Sequence, residues 1–202
     1  DKLPKELNDM AATLAKVKAT NPDVLTVSGH SKGALTAIRQ ISEMQVDIPM
    51  LAMTHCDASK LAKQHGKKAE YALCAAQWHK SLSYKDKYFG NGMKYDKDFN
   101  AEYGYTPPYQ AAESSAALLV WKDAFERANS TDTEKVRDAL AKTDMQTFYG
   151  NIKFGSGGQN TAKPMVLFQV RCEGDKCENK VVAPTKWASA KLVHPVPKWS
   201  ER

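Results

Sequence analysis

At 202 residues, 42% of them hydrophobic, the chain is long enough to bury one substantial core or two smaller ones. Its formal charge of +6 is spread along the sequence in basic runs no longer than two, which argues for a solvated basic surface and against a nucleic-acid groove. No stretch reaches the roughly 20 apolar residues that span a bilayer, and the amino terminus, Asp1-Lys-Leu-Pro4, shows no signal peptide; any secretory signal is expected to have been removed, or the sequence to be a piece of a longer precursor.

In chain order, Met10, Leu14 and Val17 recur at helical spacing, and Asn21-Pro22 ends that helix. Residues 23–27 read as a short apolar strand, and Leu35, Ile38 and Ile41 mark the next helix. Residues 49–53 predict a strand, 58–64 a short helix and 71–76 another strand. Helices and strands that alternate through short connections are the signature of a parallel sheet covered by helices. From Phe89 to Gly92 the composition turns aromatic and polar, which places a boundary near residue 90. Pro107 and Pro108 suit the first turn of a helix, and Ala112, Ala116, Leu119, Val120 and Phe125 follow at helical spacing. Of these, the first four are expected to be core. Thr131 and Glu134 form a capping box for a further helix, with Val136 and Leu140 on one face. The tail after Pro184 holds Pro195, Pro197 and two tryptophans without a period, so it reads as an extended strap.

The four cysteines are too few for a disulfide framework in a chain of this length. Cys172 and Cys177 flank Glu-Gly-Asp-Lys between two strand-like runs, so they face each other across a hairpin and can be bridged. A zinc site there fits poorly, because the spacing is not C-x2-C and no nearby His or Cys completes four ligands. Cys56 and Cys74 can pair in space or remain single buried thiols.

Gly29-His-Ser-Lys-Gly33 follows a strand and opens a helix, the context of the G-x-S-x-G nucleophile elbow. On that reading the chain is an α/β serine hydrolase with Ser31 as nucleophile. The constellation is incomplete. His55, His65, His79 and His194 do not sit in a recognisable loop after a carboxylate-bearing strand end, no H-G-G-type oxyanion segment occurs, and only one strand precedes the motif. Small residues at a tight strand-to-helix turn account for the pentapeptide without chemistry.

A different set of segments carries a stronger likeness. The strand start Asn21-Pro-Asp-Val24, the helix start Gly104-Tyr-Thr-Pro-Pro108, the cap Ser130-Thr-Asp-Thr-Glu134 and the segment Gly150-Asn-Ile-Lys-Phe154 together resemble the type I periplasmic solute-binding proteins of ABC importers, in particular the branched-chain amino-acid receptors. The resemblance is diffuse and covers nearly the whole chain. It implies an α/β, periplasmic-binding-protein-like I fold: a parallel sheet with helices on both faces, in two lobes. Members of the family are nearly twice as long, so the chain resembles a carboxyl-terminal portion: residues 1–90 as most of the second lobe, incomplete at its start, 91–155 as the late helical segment of the first lobe, and 156–202 as return strands and tail. The resemblance further implies a periplasmic monomer that is not an enzyme and needs no cofactor, binds a small ligand such as an amino acid or organic acid by closing its lobes, and partners the importer's membrane permease.

In open α/β sheets ligands bind beyond the carboxyl ends of the strands, which turns attention to the loops after Val27, Met53 and Ala76. His30, beside Ser31, stands where the family has an aromatic residue that contacts the bound amino acid, and Thr54 where a carboxylate often meets the ligand's ammonium. Asp57, in the same loop, is a substitute for that carboxylate. These departures weaken the case for an ordinary leucine-type ligand, because neither an imidazole nor a hydroxyl supplies a fixed negative charge. Trp78 offers an aromatic face beyond the third strand, and Tyr109 is similar in position to an aromatic residue that closes over the ligand from the other lobe. Each has a plainer role available: His30 as a solvated turn residue, Thr54 or Asp57 as a helix cap, Trp78 as a half-buried edge residue, and Tyr109 as a first-turn packing residue.

Overall fold

The computed structural model describes residues 1–4, 8–56, 61, 64–163 and 165–202. The expected short helix at 58–64 lies mostly outside them. The chain forms two compact units, Asp1–Ala76 with Val166–Arg202, and Gln77–Met165. These limits differ from the expected ones, 90/91 from composition and 155/156 from the resemblance, for a packing reason at each end. Trp78 and Phe89 stack into an aromatic cluster with Tyr95 and Phe148, which keeps residues 77–90 in the second unit. Phe154 bridges to Asn160, and the Gly155 amide donates to the Gln159 carbonyl at 2.9 Å, which keeps the turn beyond residue 155 there too.

The first unit is a mixed five-stranded sheet with its helices. Helix α1 (Ala11–Thr20) buries Leu14 and ends at Asn21, whose left-handed backbone (φ 45°) returns its N–H to the Val17 carbonyl. Strand β1 (Leu25–Val27) leads to α2 (Ser31–Glu43), which buries Ala34, Ala37, Ile38 and Ile41 along one stripe. Strands β2 (Leu51–Met53) and β3 (Leu73–Ala76) complete a parallel set in which Val27 pairs with Met53 and Met53 with Cys74. The sheet is not parallel throughout. The hairpin of β8 (Val166–Glu173) and β9 (Lys176–Ala183) pairs antiparallel to β3, giving the order β1-β2-β3-β8-β9. Cys172 and Cys177 occupy opposite register positions in that hairpin and form a disulfide.

The second unit holds two small hairpins, β4 (Lys85–Asp86) with β5 (Gly90–Asn91) and β6 (Asp144–Gln146) with β7 (Asn151–Lys153), and three helices. Helix α3 (Gly92–Tyr103) has no counterpart in the sequence reading. Its start is set by the Asn91 side chain, which accepts the Lys94 N–H at 2.9 Å, and its end by Gly104 at φ 75°. Only Tyr95 among its side chains is buried, so it lacks the apolar stripe that signals a helix. Helix α4 (Tyr109–Ala128) starts one residue past the double proline and buries Ala112, Ala116, Leu119, Val120 and Ala124. Its opposite face carries Leu118, Trp121 and Phe125, exposed by 65%, 46% and 42%; Phe125 thus sits away from the face its spacing suggested. Helix α5 (Thr133–Ala141) is capped by Asp132, whose carboxylate accepts the Lys135 N–H at 3.0 Å. The expected Thr131 cap is displaced by one residue because the Asp132 N–H is itself held by the Ser130 hydroxyl at 3.1 Å.

Gln169, fully buried on β8, is the polar hinge of the first unit's interior. Its amide donates to the carbonyls of Tyr71 (3.1 Å) and Val193 (3.0 Å) and accepts the Val193 N–H (3.0 Å). One side chain thus fastens both the start of β3 and the returning tail. Gln169→Leu keeps the volume but strands three backbone groups, and each stranded buried group costs about 1–3 kcal/mol. Urea unfolding is expected to show a loss of at least that size, whereas a neutral or stabilised variant would contradict the assignment.

Candidate ligand-binding site

Parallel pairing of β1 with β2 delivers the residues after both strands to one end of the sheet. There the two loops are tied together. The Thr54 N–H donates to the Val27 carbonyl at 3.1 Å, and the Thr54 hydroxyl both accepts the Gly29 N–H (2.9 Å) and donates to the Gly29 carbonyl (3.0 Å). A hydroxyl can do both at once through a single oxygen. Thr54 therefore clamps the neighbouring loop.

His30 precedes α2 in an extended conformation and makes no side-chain cap bond, so the first-turn amides of the helix have no capping side chain from it. That end of a helix favours negative charge. Ser31 is the first helical residue. The exposed His30 ring lies 5.4 Å from that of His55, measured between ring centres, with the planes tilted by 53°. His55 has a left-handed backbone (φ 53°), unusual for a residue other than glycine, and the next residue, Cys56, is bonded to Cys74 on β3. His55 is a member of this cluster that sequence reasoning missed. No signal in the sequence marks it, because its neighbour across the gap is set by strand register and its backbone by the clamp and the disulfide on either side. The Gly29–Gly33 pentapeptide is a β1–α2 turn in which His55 meets the ring of His30, and the serine–histidine hydrogen bond found among the described residues joins Ser81 to His79, away from Ser31. Asp57 lies outside the described residues.

The other two expected contacts belong to the second unit. Trp78 is corrected to a core role: it is 4% exposed, its indole N–H donates to the Phe148 carbonyl at 3.4 Å, and its ring meets Tyr95 and Phe148 edge-on. Those contacts leave no face of the ring for a solute. Tyr109 opens α4, half-buried, with its hydroxyl pKa raised by burial and, secondarily, by Glu113 one turn on.

Within this unit lies a cavity of about 710 Å³ between apolar walls that include Val120, Trp121 and Ile152, with Glu113, Asn160 and Lys163 as polar members. The Lys163 ammonium sits 4.4 Å from the centre of the Tyr149 ring and donates to the Gln77 carbonyl. Burial pushes its pKa down to about 8, opposed in part by Glu113. Burial likewise raises the Tyr149 hydroxyl. Gly150, at φ 151°, lies against the Lys163 side chain, where an added Cβ would collide with it. No cluster of three or more His, Cys, Asp or Glu residues suited to a metal occurs among the described residues, and no helix among them is long and apolar enough to cross a membrane.

Residues 1–176 match the family described as periplasmic binding protein, and the chain belongs to that family. Solved structures share its fold. A leucine-binding protein from Thermotoga maritima superposes with a TM-score of 0.74 at 22% identity over 90% of this chain and 50% of its own. A leucine-, isoleucine-, valine-, threonine- and alanine-binding protein from Brucella ovis, in a closed conformation, gives 0.73 at 15% identity over 95% and 51%. An ABC-transporter solute-binding protein from Rhodopseudomonas palustris in complex with benzoate gives 0.69 at 16% over 94% and 52%. The chain thus spans about half the length of the structures it matches.

Two measurements test the local geometry. A half-buried lysine whose pKa falls from 10.5 to about 8 is charged in the unfolded chain and neutral in the folded one between those values, so the unfolded state binds more protons there and stability rises with pH across that window. Lys163→Met is expected to remove that rise and to stabilise the protein near pH 7; an unchanged pH profile in urea melts would contradict the burial assigned to Lys163. The Cys56–Cys74 bond closes a separation of 18 residues and Cys172–Cys177 one of 5. Chain entropy alone then makes the first worth about 3 kcal/mol and the second about 2. Paired Cys→Ser variants are expected to lose stability in that order, and equal losses, or a reversed order, would show that loop closure does not govern them.

Proposed function

We propose that the chain is part of an extracytoplasmic solute receptor that delivers a small ligand, an amino acid or a small carboxylic acid or amide, to the membrane permease of an ABC importer. Membership of the periplasmic binding protein family over residues 1–176 supports the class. The observation that carries the ligand site is the Thr54 clamp: it fixes two strand-end loops and leaves the neighbouring imidazoles exposed and unused by the core. Sheets of this kind take their ligands at that end. Such a receptor does no covalent chemistry. It spends binding energy on shifting an open–closed equilibrium between two lobes, and the permease reads the closed form.

On this reading Asp1–Ala76 with Val166–Arg202 is most of one lobe, and Gln77–Met165 is the late helical portion of the other. The exposed Leu118, Trp121 and Phe125 of α4, opposite a buried stripe, support the second assignment, because a helix that is apolar on both sides belongs inside a larger body. His30, Ser31 and Thr54 are the ligand-side residues of the lobe to which Asp1–Ala76 belongs. The two disulfides agree with an oxidising compartment outside the cytoplasm.

Thermal-shift screening of the full-length receptor against amino acids and small aromatic acids is expected to find a solute that, at 100 times its Kd, adds about 2.7 kcal/mol. Calorimetry with that solute is then expected to show His30→Ala and Thr54→Ala weakened by about 0.5–1.5 kcal/mol, the worth of a neutral hydrogen bond. Both variants binding as tightly as the parent, with melting curves intact, would remove the site from the β1 and β2 loops.

A further inference from the structure

His30 and His55 are two of the five histidines in the chain, and the fold brings them together from loops 25 residues apart in sequence. Among the described residues no side-chain hydrogen bond or ion pair engages either ring. Both rings are exposed. A metal bound by one nitrogen of each imidazole at about 2.0–2.1 Å lies roughly 3.2 Å from each ring centre. Ring centres 5.4 Å apart then subtend an angle of roughly 115° at the ion, close to the tetrahedral value zinc prefers.

The spacing is held from three directions. The Thr54 hydroxyl ties its own loop to Gly29, next to His30. The His30 carbonyl accepts the Ala34 N–H at 3.2 Å, seating it at the head of α2. The Cys56–Cys74 bond anchors the residue after His55 to β3. His55 keeps a left-handed backbone between these restraints, a conformation that persists only where the surroundings over-determine it.

We infer that His30 and His55 form a two-donor seat for a divalent transition-metal ion, zinc being the best match to imidazole ligands in this geometry, and that a chelating small carboxylate completes the ion's coordination. With two protein donors, two tetrahedral positions stay open for ligand oxygens or water. The ion's charge, added to the positive end of α2, draws an anionic group to this side of the sheet. The completing solute rests on the receptor reading; the metal seat itself does not.

Zinc chloride titrated calorimetrically into the purified chain is expected to bind saturably near one equivalent. His30→Ala and His55→Ala are each expected to weaken it at least tenfold, and the double variant to abolish it, while His79→Ala leaves it unchanged. His55→Asn, which tolerates the left-handed backbone and removes the imidazole, is expected to match His55→Ala and so separates loss of a ligand from loss of the turn. No saturable binding in the parent, or undiminished binding in the double variant, overturns the inference. As a solute probe, salicylate, whose carboxylate and ortho oxygen chelate together, is expected to bind the zinc-loaded protein at least tenfold tighter than the EDTA-treated one. Equal affinity in both overturns the metal bridge while leaving the receptor reading standing.

Discussion

The parallel register that sets Val27 beside Met53 is the constraint on which the rest of the candidate site depends. It puts the residues after both strands at one end of the sheet, and the Thr54 hydroxyl converts that adjacency into a fixed distance by bonding both the N–H and the carbonyl of Gly29. Everything recognisable as a binding surface in the first unit hangs on this pair. His30 is placed by the loop Gly29 begins, His55 by the residue next to Thr54, and the open first turn of α2 by the same loop. Both bonds lie at the exposed end of the sheet, where water can replace either partner, so their worth is in positioning the loops and each adds only about 0.5–1.5 kcal/mol of stability.

The second unit obeys a different logic. Its interior is aromatic, built from Trp78, Phe89, Tyr95 and Phe148 in edge-to-face and stacked contacts, which give direction as well as burial. Lys163 beside Tyr149 is the exception, a cation kept among apolar walls at the expense of its ordinary pKa. A perturbed lysine in a cavity is a common sign of function, yet here its ammonium is spent on the Gln77 carbonyl and the Tyr149 ring, so structure accounts for it.

What the sequence made legible follows from how local each signal is. The stripe Ala112, Ala116, Leu119 and Val120 was readable because helical spacing alone decides it, and all four are buried. The strands at Leu25–Val27, Leu51–Met53 and Leu73–Ala76 were readable as short apolar runs. Helix α3 was not, since capping by Asn91 and Gly104 holds it with one buried side chain. Trp78 shows the limit from the other side: its position after a strand suggested a ligand face, but its fate is decided by Tyr95 and Phe148, 17 and 70 residues away. His30 and Thr54 could be nominated from their loops, whereas their relation to Gly29 and His55 is a product of register, which no local pattern encodes.

Solute recognition by the clamped loops is the central claim, and hydrogen exchange read by mass spectrometry on the full-length receptor, with and without a solute that raises its melting temperature, tests it most directly. Exchange reports opening of individual backbone segments, and the Gly29 amide is already held by Thr54. The account predicts added protection in residues 28–33 and 54–56 when solute is bound. Protection confined to other segments, with these two loops exchanging as in the free protein, would contradict it.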